Sequence, residues 1–277
     1  MKNWLKNQYV VLSGASSGIG KALTMLFIKK YGANVIGIGR NEQKMLNLIS
    51  ELGEDAKNFS YHLFDVGTLE GWAQMKNDLV CHGIEPILLI NNAGMFPPFQ
   101  TLEKGGVETV EKVLQTNFFS CVYAMDSLKD VLKGNEKTLP AIVNISSSSA
   151  LCTVLGAGAY SASKAALKGY TEALAMETKG EKFVGIIYPG TTATELFDGD
   201  ENTKNSALDL VAMPADKMAK KIARSILKRK RRAVLGWDAK LMNLTAKLMP
   251  VKGLFIIRWV MKVSKSKVFK NVFPDNQ

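Results

Sequence analysis

The sequence predicts an α/β fold: a doubly wound parallel sheet in one domain, followed by a basic helical C-terminal extension. Three observations lead there. Short runs of β-branched and apolar residues alternate with longer segments of helical period. The strand-like runs are apolar nearly throughout instead of alternating with polar residues, which marks strands covered on both faces. No Pro/Gly/Ser-rich linker divides the first 200 residues, and 277 residues suit one large domain with a core that needs no disulfides.

Taken in order, Tyr9-Val10-Val11-Leu12 reads as the first strand, and Gly20–Tyr31 as a helix with Ala22, Leu23, Leu26 and Phe27 on one face. Val35–Ile38 is a second strand and Glu42–Leu52 a helix; Phe59–Phe64 is a third strand, with a helix near Leu69–Cys81. Ile87–Ile90 forms a fourth strand, and a single long helix is expected over Val107–Leu132. Ala141–Ile145, the helix Ala159–Glu177, and Val184–Ile187 complete the repeated strand–helix pattern. A helix from Ala215 leads to Ala233-Val234-Leu235 as the last strand. The catalytic domain is expected over residues 1–237, including a substrate segment at 191–213, and the extension over 238–277.

Composition excludes several function classes. Hydrophobic residues make up 47% and charged residues 22%, a globular balance. Two histidines, His62 and His82, cannot build a histidine-rich metal site, and Cys81, Cys121 and Cys152 fit no metal spacing, so no metal is expected. These thiols suit a reducing compartment. The first eight residues lack the apolar core of a signal peptide. The stretch Leu254–Met261 is interrupted by Arg258 and falls short of the roughly 20 residues of a membrane span. The expected location is cytoplasmic, with peripheral membrane contact through the extension left open.

The net charge of +11 is unevenly placed. Residues 201–277 hold 18 Lys and Arg against five acidic residues, whereas residues 1–200 hold 18 against 20. Ser13-Gly14-Ala15-Ser16-Ser17-Gly18-Ile19-Gly20 follows a strand and opens a helix. Glycines at that place let the backbone turn tightly, and free N–H groups of the helix then meet a phosphate. The spacing is G-x-x-x-G-x-G.

With Asn91-Asn92-Ala93-Gly94, Ser147, Tyr160-x-x-x-Lys164 and Pro189-Gly190 following in order, residues 8–195 resemble the short-chain dehydrogenase/reductase family. The one departure is Ser13, where that family usually has Thr; the hydroxyl is kept. The resemblance implies a Rossmann fold, an NADP(H)-preferring reductase of the carbonyl reductase or hydroxysteroid dehydrogenase kind, and a homo-oligomer.

Tyr160 and Lys164 lie four apart on one helix face. A free tyrosine, with a pKa of about 10, is a poor base at neutral pH; a nearby ammonium is expected to lower that value. The pair is then a proton donor to an alkoxide, or a base in reverse. The family places its serine thirteen residues before the tyrosine, which selects Ser147 to hydrogen-bond the substrate carbonyl. It also implies Asn117 as a helix-kinking residue that supports a water leading to the lysine.

No acidic residue ends the second strand at Ile38-Gly39-Arg40-Asn41, and Arg40 offers a planar fork to a 2′-phosphate, favouring NADP(H) over NAD(H). Lys21 is a second cation that could assist. The resemblance further implies that Ser16, Ser17, Gly18 and Ile19 hold the cofactor phosphates, that Asp65 and Val66 bracket the adenine, that Asn92, Ala93 and Gly94 line the cofactor, and that Pro189, Gly190, Thr192 and Thr194 meet its nicotinamide end.

Rim positions Met95–Phe99 and Leu151–Leu155, with Leu196, Phe197, Leu208, Leu210 and Met213 in the substrate segment, are mostly apolar. They favour a lipophilic carbonyl compound, such as a steroid or long-chain ketone. Lys228–Arg232 reads as the solvated end of a helix. From Leu254 to Val263, Leu254, Ile257 and Met261 share an apolar face beside a basic stripe of Arg258, Lys262 and Lys265, a pattern of a membrane surface or of a helix packed over the pocket or on a partner subunit. No nucleic-acid motif occurs, and nucleic acid is not an expected partner. Two alternatives stand beside the reductase: an NAD-dependent alcohol or hydroxysteroid dehydrogenase, and a non-enzymatic, membrane-associated nucleotide-binding protein.

Overall fold

Seven strands form one parallel sheet in a computed structural model that describes residues 3–197, 203, 212–264 and 266–273. In chain order the strands are β1 (Tyr9–Ser13), β2 (Asn34–Gly39), β3 (Phe59–Leu63), β4 (Leu88–Asn91), β5 (Ala141–Ile145), β6 (Phe183–Pro189), the short β7 (Thr192–Ala193) and β8 (Met213–Pro214), and β9 (Arg232–Leu235). The sheet runs β3-β2-β1-β4-β5-β6-β9, while β7 and β8 pair with each other. The order reverses at β1, which pairs with both β2 and β4. A crevice therefore opens beyond the carboxyl ends of these strands.

Alternation along β1 builds two cores. Val10 and Leu12 join Leu23, Phe27, Met218 and Ile222 on one face, whereas Val11 meets Trp72, Met75 and Leu128 on the other. The helices that supply those residues are α1 (Gly18–Tyr31) and α7 (Ala215–Leu227) on the first face, with α3 (Leu69–Cys81) and α5 (Ser120–Leu128) on the second. Also on the first face is α2 (Glu42–Leu52), through Met45 and Leu48. The remaining helices are α4 (Leu102–Leu114), α6 (Gly158–Glu177), α8 (Trp237–Leu248) and α9 (Lys252–Val263). A buried chain of amides orients α6: Asn91 Nδ2 donates to Asn144 Oδ1 at 2.7 Å, and Asn144 Nδ2 donates to Thr171 Oγ1 at 2.8 Å.

The structure departs from the sequence expectation in three places. The single helix expected over Val107–Leu132 begins at Leu102, carries Gly106 at φ 64°, and is interrupted by a π turn at Gln115–Phe119 between α4 and α5. Within that turn the Asn117 side chain bonds outward, to Met95 and Ser163. Next, the basic run after α7 is not simply solvated: Arg229, with φ 48°, lays its guanidinium 4.7 Å from the Trp4 ring centroid and 5.3 Å from that of Phe183. Finally, α9 turns its predicted apolar face, Leu254, Ile257 and Met261, only partly inward and presents a second apolar arc to solvent. Leu208, Leu210, Lys265 and the side chain of Phe197 lie outside the described residues.

Candidate active site

The turn after β1 is held by a hydroxyl. Ser13 Oγ accepts the main-chain N–H groups of Asn92 and Ala93, each at 3.0 Å, and Asn92 Nδ2 donates to Ser13 O at 3.0 Å. The exit of β4 is thereby fastened to the glycine turn. Gly14 sits at φ +68°, and a Cβ on Gly20 would overlap the Gly14 carbonyl. At the start of α1, the Ser17 side chain makes no capping bond and no acidic residue occupies the first turn. The main-chain donors there are left for an outside anion.

Opposite, β5 and α6 place the predicted catalytic residues. Ser147 follows β5 and accepts from Ser149 N at 3.2 Å. Lys164, buried, donates from Nζ to the Ile145 carbonyl at 3.1 Å and lies 5.8 Å from the Tyr160 ring centroid. Asn117 is fully buried: its Oδ1 accepts from Met95 N at 2.8 Å, and its Nδ2 donates to Met95 O and Ser163 Oγ, both at 3.0 Å. It stands directly behind Gly94, where an added Cβ would come 3.2 Å from Asn117 Oδ1 and 3.5 Å from Lys164 Nζ.

The electrostatics correct one expectation. Burial pushes the Tyr160 phenol up to about 12, opposed by a hydrogen bond with Ser147. Burial also lowers the Lys164 ammonium to about 8. Burial of the phenol thus raises Tyr160 where the spacing led to an expected lowering.

A cleft of about 450 Å³ brings most of the predicted residues together. Gly14, Ser17, Gly18 and Ile19 line one side, and Asn92, Ala93 and Gly94 the floor. Ser147, Tyr160 and Lys164 line the other side, with Pro189, Gly190, Thr192 and Thr194 completing the wall. Six residues are not on its lining. Gly20 lies behind Gly14, Ser16 lies beside Gly39, and Asn117 lies behind Gly94. Arg40 and Asp65, at the ends of β2 and β3, pair with each other at 3.3 Å, and the Val66 carbonyl accepts from Trp72 Nε1 at 2.9 Å. Lys21 pairs with Glu51 at 2.7 Å, also away from the cleft lining.

Other lining residues were not found by sequence reasoning. Lys44, in the first turn of α2, lines the cleft and forms an ion pair with Glu195. Met242 of α8 forms part of the wall. Behind the wall, Asp238 accepts from Thr191 N at 2.5 Å, and a Cβ on Gly190 would run into that carboxylate. One signal was available: Asp238 is the only acidic residue between Trp237 and Phe273. At the apolar rim an aromatic chain runs from Tyr160 to Phe96 at 4.7 Å, on to Phe99 at 4.9 Å, and to Phe269 of the C-terminal tail at 5.7 Å.

Known proteins match this arrangement. The family described as short chain dehydrogenase matches residues 8–205. A 3-ketodihydrosphingosine reductase from Bos taurus is 29% identical over 264 residues, covering 90% of this chain and 78% of the relative. A 3-oxoacyl-[acyl-carrier-protein] reductase from Vibrio harveyi is 29% identical, covering 77% of this chain and 85% of that protein. Among solved structures, the closed form of a serine dehydrogenase complexed with NADP+ superimposes with a TM-score of 0.70 at 26% identity, covering 79% of this chain and 89% of that one.

Proposed function

The chain belongs to the short chain dehydrogenase family, and on that footing we propose that it is an NADPH-dependent reductase of a long-chain 3-ketone. The observation that carries this reading is the shared cleft: an uncapped helix N-terminus with a glycine turn on one side, and Ser147, Tyr160 and Lys164 on the other. The glycine cradle and open main-chain donors fit a dinucleotide pyrophosphate. Arg40 is the cation for a 2′-phosphate, and Lys44, inside the cleft, is a second one. NADP+ is bound by the serine dehydrogenase that this chain resembles.

When bound, NADPH supplies a hydride to the substrate carbonyl carbon. The chain's own residues manage the oxygen. Ser147 and Tyr160 donate hydrogen bonds to the carbonyl, and Tyr160 passes its phenol proton to that oxygen as charge develops. A phenol raised to about 12 is protonated at neutral pH, the state a proton donor needs. Lys164, its Nζ near the ring, steadies the phenolate left behind until a proton returns. Asn117 fixes Met95 and the segment against which Lys164 lies.

The substrate class rests on the rim and on the relatives. Phe96, Phe99, Val154, Leu196 and Met242 give the cleft an apolar wall suited to an alkyl chain. Two of the similar proteins are named for a 3-keto or 3-oxo group that they reduce, as 3-ketodihydrosphingosine reductase and 3-oxoacyl-[acyl-carrier-protein] reductase. The test is NADPH oxidation with 3-ketones of increasing chain length. Longer chains should raise kcat/KM at least tenfold over a four-carbon ketone, and Tyr160→Phe should lower kcat by about 10²–10⁴. Activity that ignores chain length overturns the substrate class; activity that survives Tyr160→Phe overturns the mechanism.

A further inference from the structure

The C-terminal helices carry an apolar surface that the catalytic reading leaves unused. Of the 21 large hydrophobic side chains exposed among the described residues, twelve fall between Trp237 and Val263. On α8 they are Trp237, Leu241, Leu244 and Leu248, each more than half exposed. Their spacing of four, three and four puts them in one straight stripe. On α9, Phe255, Ile256, Trp259, Val260 and Val263 form a second outward arc, with Trp259 at 64% exposure. The two helices meet closely, since a Cβ on Gly253 would come 2.6 Å from Thr245 Cγ2. An apolar surface of this extent marks an interaction site.

The charge around it selects the partner. Between Trp237 and Phe273 the sequence has eight Lys and Arg against Asp238 alone, and Asp238 is turned inward to Thr191. Lys240 and Lys247 are exposed and each precedes a stripe residue, Leu241 or Leu248; Lys252 and Arg258 are exposed on α9. Two copies of this surface face to face would set like charges against each other. An anionic lipid layer instead offers apolar depth for the stripes and negative charge for their borders. Neither helix is long and apolar enough to cross a membrane.

The inward sides of the same segment build the cleft. Met242 of α8 lines it, Phe269 closes the aromatic chain to Tyr160, and Val272 lies against Gly156. We propose that the outward faces of α8 and α9 dock the protein on an anionic phospholipid bilayer, so that the helix walling the cleft is also the one seated in the lipid. The docking surface stands on exposure and charge; only the delivery of a membrane-dissolved ketone to the cleft rests on the functional reading above.

The test is sedimentation of the full chain with vesicles of phosphatidylcholine alone or with about 30% phosphatidylserine, alongside light scattering and NADPH oxidation with a water-soluble ketone. Expected are binding to the anionic vesicles, weakening as salt is raised, and at least tenfold weaker binding by Leu248→Glu combined with Trp259→Glu. Both side chains are exposed, so the thermal midpoint and the soluble-substrate activity of the double variant should match the parent. Absence of binding to anionic vesicles, equal binding by parent and variant, or a dimer that the variant dissolves without any vesicle binding would each overturn the proposal. Vesicle binding by a chain that reduces no ketone would leave the docking surface standing and remove the functional reading.

Discussion

Asn117 and Met95 exchange two hydrogen bonds, the Asn117 carboxamide accepting from Met95 N at 2.8 Å and donating to Met95 O at 3.0 Å. The side chain thus takes the place of a strand partner for the segment leaving β4, and the π turn is what frees it to do so. Asn117→Ala leaves both Met95 groups and Ser163 short of a partner. The cost should be about 2–3 kcal/mol, read as a lower urea midpoint, together with a tenfold or larger fall in kcat as Met95 and Gly94 shift against Lys164. Asn117→Asp, which keeps only the acceptor, should lie nearly as low.

The glycine turn and the start of α1 separate binding from stability. Gly20→Ala should abolish measurable NADPH binding in calorimetry, because its Cβ overlaps the Gly14 carbonyl and the turn must move. Ser17→Ala should behave differently. Removal of a capping serine usually costs about 1 kcal/mol, but Ser17 makes no capping bond. Its loss should change stability by less than about 0.5 kcal/mol while weakening the cofactor.

Arg40 and Asp65 form an exposed pair, and such pairs contribute about 0–1 kcal/mol. Arg40→Ala should therefore barely alter the melting temperature. It should raise the KM for NADPH tenfold or more and leave that for NADH unchanged. Equal changes for both cofactors would show that Arg40 does not read the 2′-phosphate.

Lys164 sets activity against stability. Its ammonium is lowered by burial to about 8 from 10.5, so the fold disfavours the charged form. Below pH 8 both folded and unfolded chains carry the proton and the penalty is fully present. Between about 8 and 10.5 the unfolded chain binds the extra proton, and stability rises with pH. Tyr160, raised from 10 to about 12, acts in the opposite sense above pH 10. Lys164→Met should be inactive yet at pH 7 more stable than the parent, by on the order of 2–3 kcal/mol after losing the bond to Ile145. The gap should shrink by pH 9.5 in chemical unfolding; a variant less stable than the parent at pH 7 would refute the burial argument.

The sequence carries the parts of this site that depend on short spacings. The glycines of residues 14–20, the Asn92–Gly94 run and the Tyr160–Lys164 pair are local, and each strand of the seven-stranded sheet could be read from its own run, whereas the two-residue strands β7 and β8 could not. The π turn was not legible, because the bonds that go with it run from Asn117 to a residue 22 positions earlier. Lys44, Asp238 and Met242 reach the cleft only once distant elements fold together. Two apolar arcs share α9, and periodicity alone could not say which turns inward. The direction of the Tyr160 shift needed the burial of its phenol, which no spacing encodes.

The carboxylate of Asp238 reaching back to Thr191 has a practical meaning for where the catalytic unit ends. The family model matches residues 8–205, and a chain trimmed to that limit would keep every motif that carries the family likeness. It would nonetheless lack β9, the anchor that holds the exit of β6, and the methionine that walls the cleft. The working cleft therefore draws on residues at least as far as Met242, well beyond the stretch in which its defining motifs lie.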